Sequence, residues 1–411
     1  MRTPTMCHRR QVPSSTDHRD DDAFDAIDPT RLRAGTGIKW GVADDDVIPS
    51  WVADMDFGIP LAVQRAMRAV VDRQDFGYPH WPDGDPVVAA FERRMADRFD
   101  WVPRPGRTKV MSDLLQILQI TIEHTTRPGD GIAIHVPSYP PFLDGILRAG
   151  RRIVPIPMTD DGERWGFDGD GLTDRLAAAG VKLLIVVNPH NPTGRVLDRG
   201  ELDVLATAAR ELDVPVLSDE IHADLAHAGH QHVPFASLGD DAAGRAITAT
   251  SATKAFNIAA VHCAVVHVGA DRVWESLDRE PLNVFGDPPA ISRIATVAAW
   301  EESHDWHAAL MRRLAANRRT VAEWAAGSAH PIGHHAPDAT YLGWLDLSAT
   351  AIAHDPAGEI ERRGRVLVNP GRDFTQHTAL DSHAFVRMNG ATSAATLSRI
   401  LERIDTALAT S

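Results

Sequence analysis

The segment Ser251-Ala252-Thr253-Lys254-Ala255-Phe256-Asn257 follows directly on an apolar, strand-like run at residues 246–250. Lysine is scarce in this chain, which has four lysines against 38 arginines among 411 residues. Arginine binds carboxylates and phosphates better than lysine does, but only lysine can lose its proton and form a Schiff base with an aldehyde. Lys254 at the end of a strand therefore indicates an amine used for chemistry, with pyridoxal 5'-phosphate (PLP) as the aldehyde. The alternative is an ordinary surface lysine in a polar connection.

Polar and aromatic residues follow three other strand-like runs. Residues 132–136 precede Pro137-Ser138-Tyr139-Pro140-Pro141-Phe142, residues 183–187 precede Asn188-Pro189-His190-Asn191-Pro192-Thr193-Gly194, and residues 214–217 precede Ser218-Asp219-Glu220-Ile221-His222. In open parallel sheets, ligands bind outside the carboxyl ends of the strands. The amine, carboxylate, amide and aromatic ring are therefore expected to converge on one crevice.

The chain divides into regions of different character. Strand-like and helix-like stretches alternate from about residue 109 to residue 278, which is typical of an α/β sheet built by βαβ crossovers. From about residue 289, a long helical run through residues 298–326 precedes short strands near 341–345, 365–368 and 384–388 and a final helix. We predict a disordered tail at 1–22, an N-terminal segment at 23–58 that contributes to the small domain and the site entrance, a large cofactor-binding domain at 59–288 and a small α+β domain at 289–411.

Composition narrows the function classes. A net charge of −14 disfavours general nucleic-acid binding, and no segment has the apolar length of a membrane span. Two cysteines, Cys7 and Cys263, provide no disulfide framework and suit a reducing compartment. These features predict a cytoplasmic enzyme with a small-molecule substrate and neither a nucleic-acid nor a membrane partner.

The order Tyr139, Asn191, Asp219, Ser251, Lys254 and Arg387 resembles the fold-type I PLP enzymes related to aspartate aminotransferase, over nearly the whole chain after the tail. Trp51-Val52-Ala53-Asp54-Met55-Asp56-Phe57 and Asp219-Glu220-Ile221-His222 further resemble the cystathionine β-lyase or C–S lyase branch, the MalY/PatB-type proteins. The resemblance implies an α/β large domain with a mostly parallel seven-stranded sheet, a smaller α+β domain and a homodimer that binds an amino-acid substrate.

The resemblance also implies a role for each residue around the cofactor ring. Lys254 would hold PLP covalently and later take the α-proton of the substrate. Asp219 would pair with the pyridine nitrogen and keep it protonated, so that the ring accepts electrons. Asn191 would donate to the phenolic oxygen, Tyr139 would stack on the ring, and His222 would face it. Without a cofactor, an Asp after a strand is a cap or turn residue and a tyrosine among prolines packs in the core.

Phosphate binding requires hydrogen-bond donors and a positive field. A helix predicted to begin near Ser112-Asp113-Leu114 offers the backbone amides of Asp113 and Leu114 and the positive end of its dipole. Ser112 or Asp113 acting only as an N-cap is the alternative. Ser251 is a second candidate ligand of the phosphate.

The resemblance also identifies two positions that would lie near the phosphate. Many relatives have an arginine eight residues after the lysine, whereas this chain has His262. Tyr78, in Phe76-Gly77-Tyr78-Pro79, resembles a tyrosine that reaches the phosphate from a neighbouring subunit. Local packing of Tyr78 within its own chain is the alternative.

Substrate recognition is predicted at Arg387, because a guanidinium group matches an α-carboxylate in bidentate fashion. An arginine in a surface ion pair is the alternative. By resemblance, Trp51 and Asp54 would line the entrance, and Arg372 would contact a distal group of the substrate.

Four histidines, His222, His227, His230 and His232, lie close together, and a His-x-His pair can bind a metal. No cysteine or carboxylate pattern supports zinc, and residues 226–233 are interpreted as a solvated loop. We therefore predict no metal site.

Two reactions share the first step, the removal of the α-proton. Expulsion of a thiolate from Cβ gives β-elimination of an L-cysteine S-conjugate such as L-cystathionine, and reprotonation at the cofactor gives transamination. The lyase is the preferred prediction because of the branch resemblance, with an aminotransferase as the alternative. A non-catalytic regulator of the same fold is a third possibility, since a fold does not determine a function.

Overall fold

The computed structural model describes residues 24–281 and 284–409. The predicted tail at 1–22, with Cys7, lies outside these residues. The α-helices are α1 (Pro29–Arg33), α2 (Ile38–Gly41), α3 (Leu61–Asp72), α4 (Pro86–Phe99), α5 (Leu114–Thr125), α6 (Pro140–Arg148), α7 (Leu172–Ala178), α8 (Arg199–Leu212), α9 (Asp240–Ala243), α10 (Asp271–Asp278), α11 (Ala290–Glu302), α12 (His304–Gly327), α13 (Pro356–Glu359) and α14 (Ala394–Leu408).

The strands form three sheets. They are β1 (Ile48–Pro49), β2 (Thr108–Met111), β3 (Gly131–Val136), β4 (Arg152–Asp160), β5 (Trp165–Phe167), β6 (Val181–Val187), β7 (Val216–Asp219), β8 (Ala246–Thr250), β9 (Ala264–Val268), β10 (Gly333–His334), β11 (Leu342–Asp346), β12 (Val366–Leu367), β13 (Asn369–Pro370) and β14 (Phe385–Asn389).

The largest sheet has eight strands in the order β2-β9-β8-β7-β6-β3-β4-β5, rather than the seven predicted. The five strands from β8 to β4 are parallel to one another, while β9 runs antiparallel to both of its neighbours. The additional strand is β5, which pairs with the end of β4 as an antiparallel hairpin. The hairpin turns where the Asp161 carboxylate accepts the backbone N–H groups of Glu163 and Arg164 and Gly162 adopts a φ of +91°.

Alternate residues of β6 explain why its sequence is apolar from Leu183 to Val187. Leu183 and Ile185 pack into the core on one face of the sheet, with α5 and α6, whereas Leu184 and Val186 pack into the core on the other face, with α4 and α8. Because a strand points successive side chains to opposite faces, a strand covered on both sides needs no polar alternation. The predicted α/β architecture is therefore confirmed, with helices on both faces of the sheet.

The C-terminal part carries the antiparallel sheet β10-β11-β14-β13, covered by α14. The strand predicted near 365–368 is β12, which pairs with β1 of the N-terminal segment. The next strand, β13, was not predicted and pairs with β14. The long helical run is divided, because Ser303 separates α11 from α12. α11 packs against α3 and α4, and the domain boundaries stay a prediction.

Candidate active site

The carboxyl ends of β3, β6, β7 and β8 open into one cavity with a volume of about 280 Å³. The residues around it come from these strand ends and the segments that follow them, from residues 52–53, from the N-terminus of α5 and from β14. They include Tyr139, Asn191, Asp219, His222, Lys254 and Arg387. The strand ends thus bring together residues that are up to about 250 positions apart in sequence, as expected for an open parallel sheet.

Lys254 lies four residues beyond the end of β8, and its Nζ donates a hydrogen bond to the Ala53 carbonyl at 2.7 Å. Burial lowers the pKa of the Lys254 ammonium and Arg387 adds to this effect, while the carboxylates of Asp54 and Asp219 oppose it. A buried amine with a lowered pKa is a better nucleophile and base near neutral pH than a surface lysine.

Asp219 is the last residue of β7, and its Oδ1 accepts the backbone N–H of Ile221 at 3.1 Å. Burial, reinforced by the neighbouring Glu220, raises the pKa of the Asp219 carboxyl to about 7, although the Ile221 hydrogen bond and Lys254 oppose the shift. A buried carboxylate of this kind gains a cationic partner when a protonated pyridine nitrogen binds beside it.

Three further side chains line the same cavity. Tyr139 is the N-cap residue of α6, half-buried against Phe142 with the ring centroids 5.8 Å apart. Asn191 is buried, and its Oδ1 accepts a hydrogen bond from Arg387. Burial, with Lys254 and Arg387, lowers the pKa of His222 to about 3, so its imidazole is neutral at physiological pH.

The N-terminal end of α5 borders the cavity as well. The Asp113 side chain caps the helix by accepting the backbone N–H of Gln116 at 2.8 Å, and the Gln116 side chain accepts the N–H of Ser112. The amides of Asp113 and Leu114 lie in the first turn, where backbone donors have no intrahelical acceptor. An N-cap role for Asp113 and an anion site at the neighbouring amides are therefore compatible.

Ser251 and His262 also border the cavity. The Ser251 hydroxyl lies 2.6 Å from the Cys263 carbonyl, to which it donates. His262 Nδ1 lies 3.5 Å from the Asp113 carboxylate, on an exposed surface. In this arrangement the Ser251 hydroxyl would have to rotate to donate to a phosphate.

Arg387 lies in β14, lines the cavity and contacts several neighbours. Its two terminal nitrogens donate to Asn191 Oδ1 at 3.0 Å, to Asn369 Oδ1 at 2.6 Å and to the Trp51 carbonyl at 3.1 Å, and its guanidinium lies over the Phe374 ring. Burial lowers the pKa of Arg387 to about 10, which leaves it charged at neutral pH. The buried Nε has no protein partner among the described residues.

The resemblance implies a substrate-side loop at residues 369–374, and Asn369 at its start accepts a hydrogen bond from Arg387. No role was predicted for Asn369 itself, because it stands in a short strand whose pairing with β14 the local sequence does not indicate. Arg372, which was predicted to contact substrate, is exposed and lies 3.8 Å from Asp355, outside the cavity lining.

The predicted entrance residues take different positions. Val52 and Ala53 line the cavity directly. The Trp51 carbonyl accepts a hydrogen bond from Arg387, and the Trp51 indole N–H donates to the Lys39 carbonyl. Asp54 lies close enough to Lys254 for the two charges to interact. Tyr78 is fully exposed and does not line the cavity of its own chain.

The histidines that are close together in sequence contact different groups in the structure. His227 Nε2 contacts the Thr340 carbonyl, His232 Nε2 contacts Glu220, and His230 lies near Asp338. The solvated-loop interpretation of residues 226–233 is wrong for His227 and His232, which are buried. Over the described ranges 24–281 and 284–409, no group of three or more His, Cys, Asp or Glu residues could hold a metal ion.

The family model of the class I and II aminotransferases matches residues 59–404. The chain belongs to this family. Cystathionine beta-lyase PatB of Bacillus subtilis (strain 168) is 32% identical over 396 residues, covering 93% of this chain and 99% of that protein. The crystal structure of OvoB matches with a TM-score of 0.87 and 32% identity over 94% of this chain and 99% of that one.

The PLP-bound C–S lyase of Staphylococcus hominis matches this aminotransferase-family chain with a TM-score of 0.85 and 28% identity, over 94% of this chain and 98% of that one. PLP is the cofactor of the present chain, and the residues that line the cavity suit it. The cavity offers an amine for the aldehyde, a buried carboxylate for the ring nitrogen, an aromatic ring and the amino end of a helix. In the part of the chain that the structure describes, no helix is long and apolar enough to cross a membrane.

Proposed function

We propose that this protein is a PLP-dependent C–S β-lyase that cleaves L-cystathionine or another L-cysteine S-conjugate to a thiol, pyruvate and ammonia. The observation that carries the proposal is the similarity along nearly the whole chain to a protein named as a cystathionine beta-lyase, together with an amine, a carboxylate and a guanidinium around one cavity. The similarity to a PLP-bound C–S lyase supports the same reaction.

In the proposed mechanism, bound PLP supplies an electron-accepting ring next to the substrate Cα. Lys254 would remove the Cα proton, and Asp219 would hold a proton at the pyridine nitrogen of the bound cofactor. The C–S bond then breaks, the thiolate leaves with the bonding electron pair, and a double bond forms between Cα and Cβ. Addition of water to the released enamine, after its tautomerisation to an imine, yields pyruvate and ammonia.

Arg387 would bind the substrate α-carboxylate. We expect Arg387→Leu to raise KM for L-cystathionine about 100-fold, because truncating one member of a buried charge pair costs about 2–5 kcal/mol. Steady-state kinetics on the PLP-loaded variant would measure the change. Arg372→Leu is the matched control, and its KM should stay within about twofold of wild type since surface ion pairs contribute little. An unchanged KM in Arg387→Leu would contradict this role.

We propose a homodimer in which Tyr78 acts in the site of the neighbouring subunit. Its support is full exposure of the Tyr78 ring beside the exposed Phe76, which is unusual for aromatic residues unless another surface covers them. Mixing inactive Tyr78→Ala and Lys254→Ala variants should restore about a quarter of wild-type activity, because half of the dimers are hybrids and each hybrid has one intact site. No recovery after subunit exchange verified by mass spectrometry would contradict it.

We also place the protein in the cytoplasm, since Cys263 is a free buried thiol and this compartment is reducing. Cell fractionation with detection of the native protein would test the placement. Recovery in an extracellular fraction would contradict it.

The test of the reaction is product analysis with and without an amino-group acceptor. The PLP-loaded protein is expected to release thiol and pyruvate from L-cystathionine in the absence of any keto acid. Turnover that requires an added keto acid, with formation of the corresponding amino acid, would instead identify an aminotransferase.

A further inference from the structure

Lys39 is a second lysine at an unusual position. It lies in α2 with its side chain buried, and its Nζ forms an ion pair with Asp56 Oδ1 at 2.9 Å and donates to the Asp54 carbonyl at 3.1 Å. The Trp40 indole N–H also donates to Asp56, at 2.6 Å. A buried ion pair is weak evidence for stability, because desolvating two charges offsets much of their attraction. We therefore infer the role of Lys39 from the groups that it contacts.

Both partners of Lys39 belong to the segment of residues 51–57, which we term the strap. Side chains from other elements hold the strap by its backbone. Asn389 Nδ2 donates to the carbonyls of Val52 and Asp54, each at 2.6 Å. Asn257 accepts the N–H of Met55 and donates to the Phe57 carbonyl at 2.7 Å.

The two asparagines that bind the strap are close in sequence to residues of the active site. Asn257 follows Lys254 by three residues, and Asn389 follows Arg387 by two. Lys254 donates to the Ala53 carbonyl, and Lys39 donates to the next carbonyl, that of Asp54. Two lysines thus bind successive carbonyls of the strap.

Asp54 is the charged group of the strap that interacts with Lys254. Burial raises the pKa of the Asp54 carboxyl, Lys254 and Lys39 lower it, and Asp56 raises it further. The charged and titratable groups that act on Lys254 and Asp54 are Lys39, Asp56, Asp219, His222, Tyr341 and Arg387. Asp54 in turn favours the protonated form of Lys254.

We propose that Lys39 is a positioning residue: paired with Asp56, it fixes the strap so that the Ala53 carbonyl stays within hydrogen-bonding distance of the Lys254 nitrogen. The proposal rests on the proposed attachment of PLP at Lys254. It adds a residue that touches neither cofactor nor substrate but acts through the strap.

Two substitutions test the attachment of the strap. Lys39→Met removes the ammonium that binds the Asp54 carbonyl and pairs with Asp56, so the strap and its Ala53 carbonyl lose their fixed place beside Lys254. A hydrogen bond to the charged form of a group favours that form, so the pH midpoint of the absorbance change of bound PLP should fall by about one unit. Asp56→Asn removes the ion-pair partner of Lys39 and should move the midpoint in the same direction.

The measurement is a spectroscopic pH titration of each PLP-loaded variant, with thermal unfolding alongside. Arg151→Met is the control, because Arg151 is equally buried and pairs with Glu123 at 2.9 Å but does not line the cavity. The control should lose thermal stability and keep the wild-type midpoint. An unchanged midpoint in Lys39→Met would overturn the proposal, and if that variant does not fold, an unchanged midpoint in Asp56→Asn would do so.

Failure of the Lys39 proposal can be distinguished from failure of the proposed lyase function. Wild-type protein that binds PLP at Lys254 but releases no pyruvate would defeat the lyase proposal, while the titration would still decide the role of Lys39. Wild-type protein whose PLP is not attached to Lys254, as shown by borohydride reduction and peptide mapping, would remove the basis of both.

Discussion

Lys254→Ala is expected to lose the yellow absorbance of covalently bound PLP and at least about 1,000-fold of the β-elimination rate. Lys254 provides the buried amine at the carboxyl end of β8, and burial lowers its pKa toward the range in which a lysine can act as nucleophile and base. Absorbance spectra before and after borohydride reduction would measure the covalent linkage, and pyruvate release would measure the activity.

Lys182→Ala is the matched control for this substitution. Lys182 lies near the start of β6, is exposed and is at the opposite end of the parallel strands from the cavity. Its removal should change neither absorbance nor rate. Retention of a borohydride-reducible absorbance in Lys254→Ala would exclude Lys254 as the attachment site.

Asp219→Asn should retain PLP and slow pyruvate release about 100- to 1,000-fold, the loss typical of removing one preorganised electrostatic group. The carboxylate of Asp219 is buried at the end of β7, where it would hold a proton on the ring nitrogen; an amide cannot stabilise that charge. The measurement is kcat under saturating PLP with the bound cofactor quantified. Unchanged kcat with stoichiometric PLP would contradict the role.

The same substitution has a predictable effect on stability without cofactor. Burial raises the pKa of the Asp219 carboxyl to about 7 from an ordinary value of 3.8, so the folded protein binds this proton more tightly than the unfolded chain does. The stabilising contribution is therefore fully present below pH 4 and is lost as the pH rises from 4 to 7, by up to about 4 kcal/mol. Cofactor-free Asp219→Asn should consequently exceed wild type in Tm at pH 8 by more than at pH 5, and a pH-independent difference would contradict this account.

The central sheet was largely predictable because its strands are buried on both faces. The apolar runs at β3, β6, β7 and β8 each end in residues with distinctive chemistry, and the general rule for parallel sheets places those ends together. Periodicity did not reveal β5, which is three residues long and depends on its hairpin with β4. The direction of β9 likewise depends on pairing between strands.

The positions of isolated polar residues were not predictable. Lys39 stands between the exposed Ile38 and the buried Trp40, and nothing in this short helix signals that an ammonium group is buried against Asp56. His232 is a similar case, since it is buried against Glu220, 12 positions away in sequence. Such contacts arise from tertiary packing, which local patterns do not encode.

Counting product per active site tests the proposed lyase most directly. PLP-loaded protein would be mixed with excess L-cystathionine and no keto acid, and thiol and pyruvate would be measured over time. A β-lyase releases the two in equal amounts through many turnovers, because its cofactor returns to the aldehyde form in every cycle. A reaction that stops at about one keto-acid product per site and resumes only when an acceptor is added would contradict the account.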